Sequence, residues 1–405
     1  MKAVRKDQAR RVLILLEGLP FSLDRRARLQ AQSLTQAGYQ VSVIGPRAPG
    51  EPGYESQQGM GIYRYPAPPE IRGKIGFIVE YAYSFFMASV LAWKVHRRVG
   101  FDVIQAANPP DILFLIARFY RTFFGSAFVF DHRDISPEIY RERFRKSERS
   151  LMIRIMLWLE RCSYKTADIS MTVNESVKAI AVSRGKMDAN DVFIVRCAPD
   201  TDRFKPVPAR EELRCGRKHL VTYVGIMGAQ DGVDCLLHAV KHVVHARGRK
   251  DITFAIVGSG DQLGALKTMA DEFEVADYVT FPGMIRDDDL LLAYMSTAEV
   301  CVAPEPKNDL NDKCSFVKLA EYVAVGKPVV AFDLVEARLS VGDAAVYVTP
   351  NDTAEFGDKI LDLLDDPERR ARMGEIALER SAGLLSWEHS QAHFLAAYDR
   401  LFSNT

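Results

Sequence analysis

Lys318 and Glu321 sit three residues apart in Ser315-Phe316-Val317-Lys318-Leu319-Ala320-Glu321-Tyr322, an otherwise apolar stretch that runs to Gly326-Lys327-Pro328. A cation beside free backbone N–H groups suits a diphosphate, and a carboxylate just inside a helix can accept two hydrogen bonds from a ribose diol. To present them so, the stretch must open a helix: Ser315 is the expected N-cap, Phe316 to Val325 the helix, and Gly326 with Pro328 its stop. Lys318 and Glu321 then project from the first turns on one face, where orphan N–H groups and the positive dipole end collect. The same spacing also suits an exposed intrahelical ion pair worth about 0.3–0.5 kcal/mol.

Three more polar clusters follow short apolar runs. After Val12–Leu16 and Gly18-Leu19-Pro20 come Asp24, Arg25 and Arg26, opening a helical pattern that ends near Gly38. Bases at a helix start oppose the dipole, so an anion-facing loop and a solvated charged turn are both open readings. Ala127–Phe130 reads as a strand that delivers Asp131-His132-Arg133-Asp134. His132 and Asp134 are catalytic candidates there, because an imidazole at a strand end can donate to substrate or phosphate oxygens; a histidine bonded inside the domain is the alternative. Leu220–Val224 precedes Gly225, Gly228 and Gly232, glycines that let backbone amides approach a phosphate. Gly258 follows Phe254–Val257, but Leu263 stands where a dinucleotide fingerprint needs its third glycine, which disfavours an oxidoreductase.

Such alternation of apolar strands with helical patterns predicts an α/β protein of two doubly wound domains, with ligands beyond the C-terminal strand ends. The turn-rich, charged stretch Pro199–Pro206 marks a boundary, giving domains over 1–198 and 199–386, with an amphipathic helix from Trp387. A chain of 405 residues with formal net charge zero gives no global argument for nucleic acid. Its six cysteines are scattered, without metal-ligand spacing, as expected of reduced cytoplasmic thiols. The basic start and the short run Val12–Leu16 do not make a signal peptide. Ile75–Trp93 is apolar and aromatic but holds Glu80 and is flanked by Lys74 and Lys94, so it is not read as spanning a membrane. With Ile112–Phe124, Leu151–Leu159 and bases such as Arg118, Arg121 and Arg154, it could lie on anionic lipid at the inner face of the plasma membrane; buried core helices explain these runs equally well.

Lys318-Leu319-Ala320-Glu321-Tyr322 followed by Gly326-Lys327-Pro328-Val329-Val330 resembles the nucleotide-sugar signature of the family 4 retaining glycosyltransferases, whose fold is GT-B, two Rossmann-like domains facing a cleft. The resemblance implies that Glu321 binds the donor ribose and that Ser315, Phe316, Val317 and Lys318 lie along the diphosphate. An earlier acid of that pattern is Lys313 here. It places Gly225, Gly228, Gly232 and Gly258 near the phosphates, the nucleobase of a UDP- or GDP-linked donor at Met284, and phosphates and acceptor at Asp24, Arg25 and Arg26. The family normally has Arg after the first loop glycine and Lys before the last; this chain has Ile226 and Asp231, so Lys318, Lys313 and Arg25 or Arg26 are the substitute cations. His132 is implied to contact the donor sugar. Asp131-His132-Arg133-Asp134 with Pro137-Glu138 resembles an exopolysaccharide-type subgroup, which implies a lipid-linked or glycan acceptor, no metal and no bound cofactor. The last helix commonly crosses back to the first domain in this fold. A sugar-nucleotide epimerase and a non-catalytic nucleotide-sugar-binding protein are the competing readings.

Overall fold

A computed structural model describes residues 9–68, 74–144, 146–147, 149–199 and 203–403. The basic first residues and Asp200, Thr201 and Asp202 of the expected boundary lie outside the described residues. The chain divides into two compact units. Unit 1 comprises Met1–Arg141, Arg145–Arg196 and Ser390–Thr405; unit 2 comprises Cys197–His389 with Glu142–Phe144.

Unit 1 is built on an eight-stranded sheet of β1 (Arg11–Leu15), β2 (Gln40–Pro46), β3 (Tyr54–Gln57), β4 (Met60–Tyr65), β5 (Val103–Ala107), β6 (Ala127–His132), β7 (Ile169–Thr172) and β8 (Val192–Ile194). Their order is β3-β4-β2-β1-β5-β6-β7-β8, all parallel except the β3–β4 hairpin. The helices are α1 (Arg25–Gln36), α2 (Lys74–Arg98), α3 (Phe114–Phe124), α4 (Ser136–Phe144), α5 (Leu151–Thr166) and α6 (Glu175–Ser183). The near-continuous apolar strands are those of a sheet covered on both faces: Leu13, Ile14, Ile104 and Val129 are fully buried. Asp24 caps α1, its Oδ1 accepting from Ala27 N at 2.9 Å, and Asn174 caps α6 in the same way through Val177 N.

Unit 2 has a six-stranded parallel sheet of β9 (His219–Ile226), β10 (Ile252–Ser259), β11 (Val279–Gly283), β12 (Val300–Ala303), β13 (Val329–Phe332) and β14 (Ala345–Val348), ordered β11-β10-β9-β12-β13-β14. Its helices are α7 (Val233–Lys241), α8 (Leu263–Glu272), α9 (Asp288–Thr297), α10 (Val317–Ala324), α11 (Val335–Val341), α12 (Thr353–Asp365) and α13 (Pro367–Ala382). In both sheets the order reverses direction beside the first strand of the unit, β1 or β9, the switch point where such sheets bind ligands.

The last helix, α14 (Trp387–Ser403), gives most of its length to unit 1. Tyr398 Oη donates to Gln105 Oε1 at 2.7 Å, Gln391 Nε2 donates to Ser33 Oγ at 3.0 Å, and Phe394 and Tyr398 are fully buried.

Candidate functional site

The glycine-rich ends of β9 and β10 are pressed together. A Cβ on Gly258, whose φ is +137°, would lie 1.8 Å from Gly225 O, and one on Gly225 would lie 3.0 Å from Lys318 Nζ. Gly232, at φ +68°, would place a Cβ 2.0 Å from Pro304 O. Only glycine fits at Gly258 and Gly232, and a side chain at Gly225 would displace the ends of Tyr223 and Lys318, so the loop after β9 is clamped against β10, α10 and the segment after β12. Gly228 N–H, an amide expected to face phosphate, donates instead to Asp231 Oδ2 at 2.9 Å. Burial raises the Asp231 pKa, with Glu305 adding to that and Lys318 opposing it.

Lys318 lies in the first turn of α10 and is buried. Its ammonium meets the Glu305 carboxylate, donates to Tyr223 Oη at 3.0 Å, and sits 4.4 Å from the centre of the Tyr223 ring. Burial disfavours that charge, but Glu305 and then Tyr223 outweigh it, so the Lys318 pKa stands above the ordinary lysine value. Tyr223 in turn donates to Ile226 O at 2.6 Å, which ties the ammonium to the backbone of the glycine loop. The second Glu305 oxygen, Oε2, is buried without a hydrogen-bond partner.

Two expectations are corrected here. Ser315 does not cap the helix: the cap is Phe316, in extended backbone with no side-chain bond, and the helix starts at Val317. The exposed Lys318–Glu321 pair does not form, because Lys318 turns inward to Glu305 while Glu321 stays half-buried one turn later. Around them Val317 is exposed, the Phe316 ring is 5.8 Å from the ammonium, and Lys313 meets Asp309. Ile226, the last residue of β9, and Met284, just beyond β11, hold apolar side chains 66% and 67% exposed, a surface with room for a flat or apolar group.

In unit 1 the charges at the end of β6 are consumed internally. Asp131 is fully buried; Arg26 Nη2 is 2.6 Å from its Oδ1, Arg133 Nε 2.9 Å from its Oδ2, and Gln30 donates to it as well. Arg133 also reaches Asp24, and Arg26 donates to Val195 O. Burial would raise the Asp131 pKa, but Arg26 and Arg133 hold it well below the usual carboxylate range. Asp24 and Arg26 are therefore not an open anion loop: the base that opposes the α1 dipole is there to pair with Asp131. Arg25 stays half-buried beside them.

The expected place of His132, on the loop after the strand, is also corrected. His132 is the last residue of β6, in register with Thr172 of β7, so its ring lies inside the sheet layer instead of on the following loop. It is fully buried, stacks on Phe130 at 5.3 Å, and its Nδ1 meets the Tyr164 hydroxyl. Burial, with Arg184 nearby, pushes the imidazole down to about 3, so it is neutral at pH 7. Asp134, two residues on, is accessible, its pKa raised by the protein around it.

Sequence reasoning missed two carboxyls at neighbouring strand ends. Glu17, just after β1, is pushed up to about 7 by burial and by Glu80, and accepts from Ser84 Oγ at 3.3 Å. Asp111, after β5, is likewise raised to about 7 by burial and then Glu160, and accepts from Asn108 Nδ2 at 3.2 Å. An acid directly beyond an apolar strand run was the available signal for Glu17, whereas Asp111 stands four residues past β5, after Asn108-Pro109-Pro110. These two can accept or donate protons near neutrality, and burial raises the Asp134 pKa as well. Among the described residues, no group of three or more His, Cys, Asp or Glu side chains is placed to hold a metal ion.

Comparison with known proteins places these features in a family. The profile of the glycosyl transferase 4-like domain matches residues 23–198, and that of glycosyl transferases group 1 matches residues 218–366. The alpha-D-kanosaminyltransferase of Streptomyces kanamyceticus is 27% identical over 232 residues, 55% of this chain and 58% of that protein. The GDP-mannose-dependent alpha-(1-6)-phosphatidylinositol monomannoside mannosyltransferase of Mycobacterium tuberculosis is 29% identical over 199 residues, 47% of this chain and 51% of its own length. The alignments thus span little more than half of these relatives. Among solved structures, sucrose-phosphate synthase from Thermosynechococcus elongatus superposes with a TM-score of 0.78 over 98% of this chain and 100% of its own, at 19% identity, a likeness of fold.

Proposed function

Since the chain belongs to the family 4 glycosyltransferases of the GT-B fold, we propose that it moves a sugar from a nucleoside diphosphate donor to a hydroxyl of a lipid-linked or glycan acceptor, with retention of configuration. The observation that carries this reading is the clamped junction of Gly225, Gly258 and Lys318, where two strand-end backbones and a helix start meet an ammonium at the switch point of unit 2.

In this reading the diphosphate lies over Gly225, Gly228 and the start of α10. The ribose diol bonds to Glu321, and the UDP or GDP base rests by Met284. Bond breaking sends the electron pair of the anomeric C–O bond to the diphosphate. Lys318 and the local amides stabilise that charge in place of a metal. The acceptor oxygen bonds to the anomeric carbon as its proton leaves to an oxygen of the departing diphosphate. His132, neutral and inside the fold, acts through the backbone it fixes. The setting we propose is cell-surface or exopolysaccharide assembly at the cytoplasmic face of the plasma membrane; support comes from the relative named for a phosphatidylinositol monomannoside.

A second reading has its own observation. Glu305 already neutralises Lys318, and Asp231 occupies the Gly228 amide where the family has a lysine. A donor-binding protein without turnover would keep such a site. One experiment separates the two: incubate the chain with UDP- and GDP-linked sugars, with and without polyprenyl-diphosphate-linked sugar acceptors, and follow nucleoside diphosphate release. Release that requires acceptor, with an unchanged anomer in the product by NMR, supports transfer. Binding without release supports the second reading, and no binding to any donor overturns both. Glu321→Gln should weaken donor binding by about 1–3 kcal/mol in calorimetry, the range for a hydrogen bond to a charged group.

A further inference from the structure

The outer surface of one helical layer in unit 1 is apolar where a solvent-facing layer is polar. Helices α2, α3 and α5 belong to crossovers that all step one way across the sheet, from β4 to β5 to β6 to β7, and right-handed connections put such helices on one face. Their inward residues, such as Ala92, Val95, Ile116 and Ile153, are buried and account for the core. A second, outward stripe remains. On α2 it is Phe86, Val90 and Trp93, at the i, i+4, i+7 spacing of one helix face; Phe119 and Phe123 continue it on α3, and Ile155 and Trp158 on α5. Phe86, Phe123 and Trp158 are 64%, 68% and 61% exposed. The stripe is continuous from α2 to α3, with Trp93 and Phe124 ring centres 6.4 Å apart and Phe119 and Phe123 4.9 Å apart, and α3 packs against α5.

The exposed charge on these helices is mostly basic, with Glu80 on α2 the partly exposed acid among their described residues. Lys94 and Arg97 on α2, Arg118 on α3, and Arg154, Arg161 and Lys165 on α5 are exposed. Helix α3 has no acid, and the single acid of α5, Glu160, is fully buried. In a chain of formal net charge zero, this is segregation.

We propose that the outward face of α2, α3 and α5 docks unit 1 on an anionic lipid bilayer, rings at the level of the headgroups and acyl boundary and bases against lipid phosphates. Among the described residues no helix is long and apolar enough to cross a membrane, so the layer lies on the surface. A second copy of the chain is a poorer occupant, because face-to-face pairing would oppose like charges. The proposed lipid-linked acceptor gives the docking its purpose, and to that extent the inference rests on the transfer reading; the binding itself needs neither donor nor turnover.

The test is co-flotation of the full chain with phosphatidylcholine vesicles, with and without phosphatidylglycerol. Partition onto the anionic vesicles should be at least tenfold stronger and should fall as salt shortens the screening length. Lys94→Gln with Arg118→Gln and Arg154→Gln should cost roughly a hundredfold, at about 1 kcal/mol for each base near an anionic surface. Phe123→Glu with Trp158→Glu should abolish flotation while circular dichroism is unchanged. Two of the three tryptophans, Trp93 and Trp158, are on this face, so brominated lipid should quench the native fluorescence whether or not the variants fold. Equal partition onto neutral vesicles, no quenching, or a dimer in gel filtration that the double variant splits while vesicles stay unbound would overturn the proposal. Flotation without donor turnover would sink the transfer reading and leave this one standing.

Discussion

Each unit holds a buried ion cluster at the C-terminal end of its sheet, and the two are built for different work. In unit 1, Asp131 and Asp24 face Arg26 and Arg133, two charges of each sign, tying the start of α1 to the end of β6. In unit 2, Lys318 has one carboxylate partner, Glu305, whose second oxygen is left unsatisfied, and the surrounding backbone is glycine. The first cluster is balanced in charge, although Arg133 Nη2 is buried there without a hydrogen-bond partner. The second is a single pair held against glycine backbone, with a carboxylate oxygen left unpaired, the arrangement expected of a site whose remaining partner is a ligand. Charge at a strand end thus says little about function until its partners are counted.

Removing charge from the unit 1 cluster should have the largest effect. Asp131→Asn leaves Arg26 and Arg133 buried without their shared acid, which should destabilise unit 1 by about 3–5 kcal/mol in chemical denaturation. A loss under 1 kcal/mol would mean that the cluster is not structural, and the contrast between the units would fail.

In the unit 2 cluster the expected effect is on the ligand. Lys318→Met keeps the apolar stem and should lower donor turnover at least tenfold, about 1.4 kcal/mol. Glu305→Gln is the sharper variant: it keeps the shape, releases the ammonium from its counter-charge, and should tighten nucleoside diphosphate binding severalfold in calorimetry. Weaker binding in Glu305→Gln would show that the acid orients Lys318 more than it masks it.

A pH effect is expected at Glu17, which lies beyond both clusters. Its pKa rises from 4.5 to about 7 on folding, so the native state binds its proton more tightly. The resulting stability is fully present below 4.5 and is lost as pH climbs through about 7. Glu17→Gln copies the protonated form and should lose nothing over that range. The variant should melt no differently from the native chain at pH 4.5 and above it at pH 8, by roughly 2–4 °C for each kcal/mol. Parallel melting curves from acid to base would remove Glu17 from the carboxyls that titrate near neutrality.

Much of this architecture was legible in the sequence. The apolar runs ahead of Gly18, Gly225 and Gly258 marked β1, β9 and β10 to within about two residues of their ends, and the run from Lys318 to Pro328 marked α10 because helix, glycine stop and β-branched strand agree with one another. What escaped was the choice of partner. Nothing local tells Lys318 that Glu305, across an irregular loop, will reach it before Glu321 does; that is decided by β12 lying beside β9. Arg26 looked like a ligand-facing base for the same reason, since its answer, Asp131, is 105 residues away. His132 was misplaced by a smaller error: β6 continues two residues further than its apolar run, through Asp131 to His132, which keeps that side chain in the strand.

The return of α14 to unit 1 has a consequence for the order in which the chain acquires its structure. Tyr398 and Phe394 complete the layer beside Gln105 and α1, yet the whole of Cys197–His389 is synthesised before them. At about 5–20 residues per second, the ribosome holds unit 1 without its last helix for roughly 10–40 s. The second half of the protein can therefore fold first, and the first half is the one a chaperone would need to guard. Limited proteolysis of stalled nascent chains ending near Leu385 should cut within unit 1 and spare unit 2; equal resistance of both would show that α14 only decorates a finished fold.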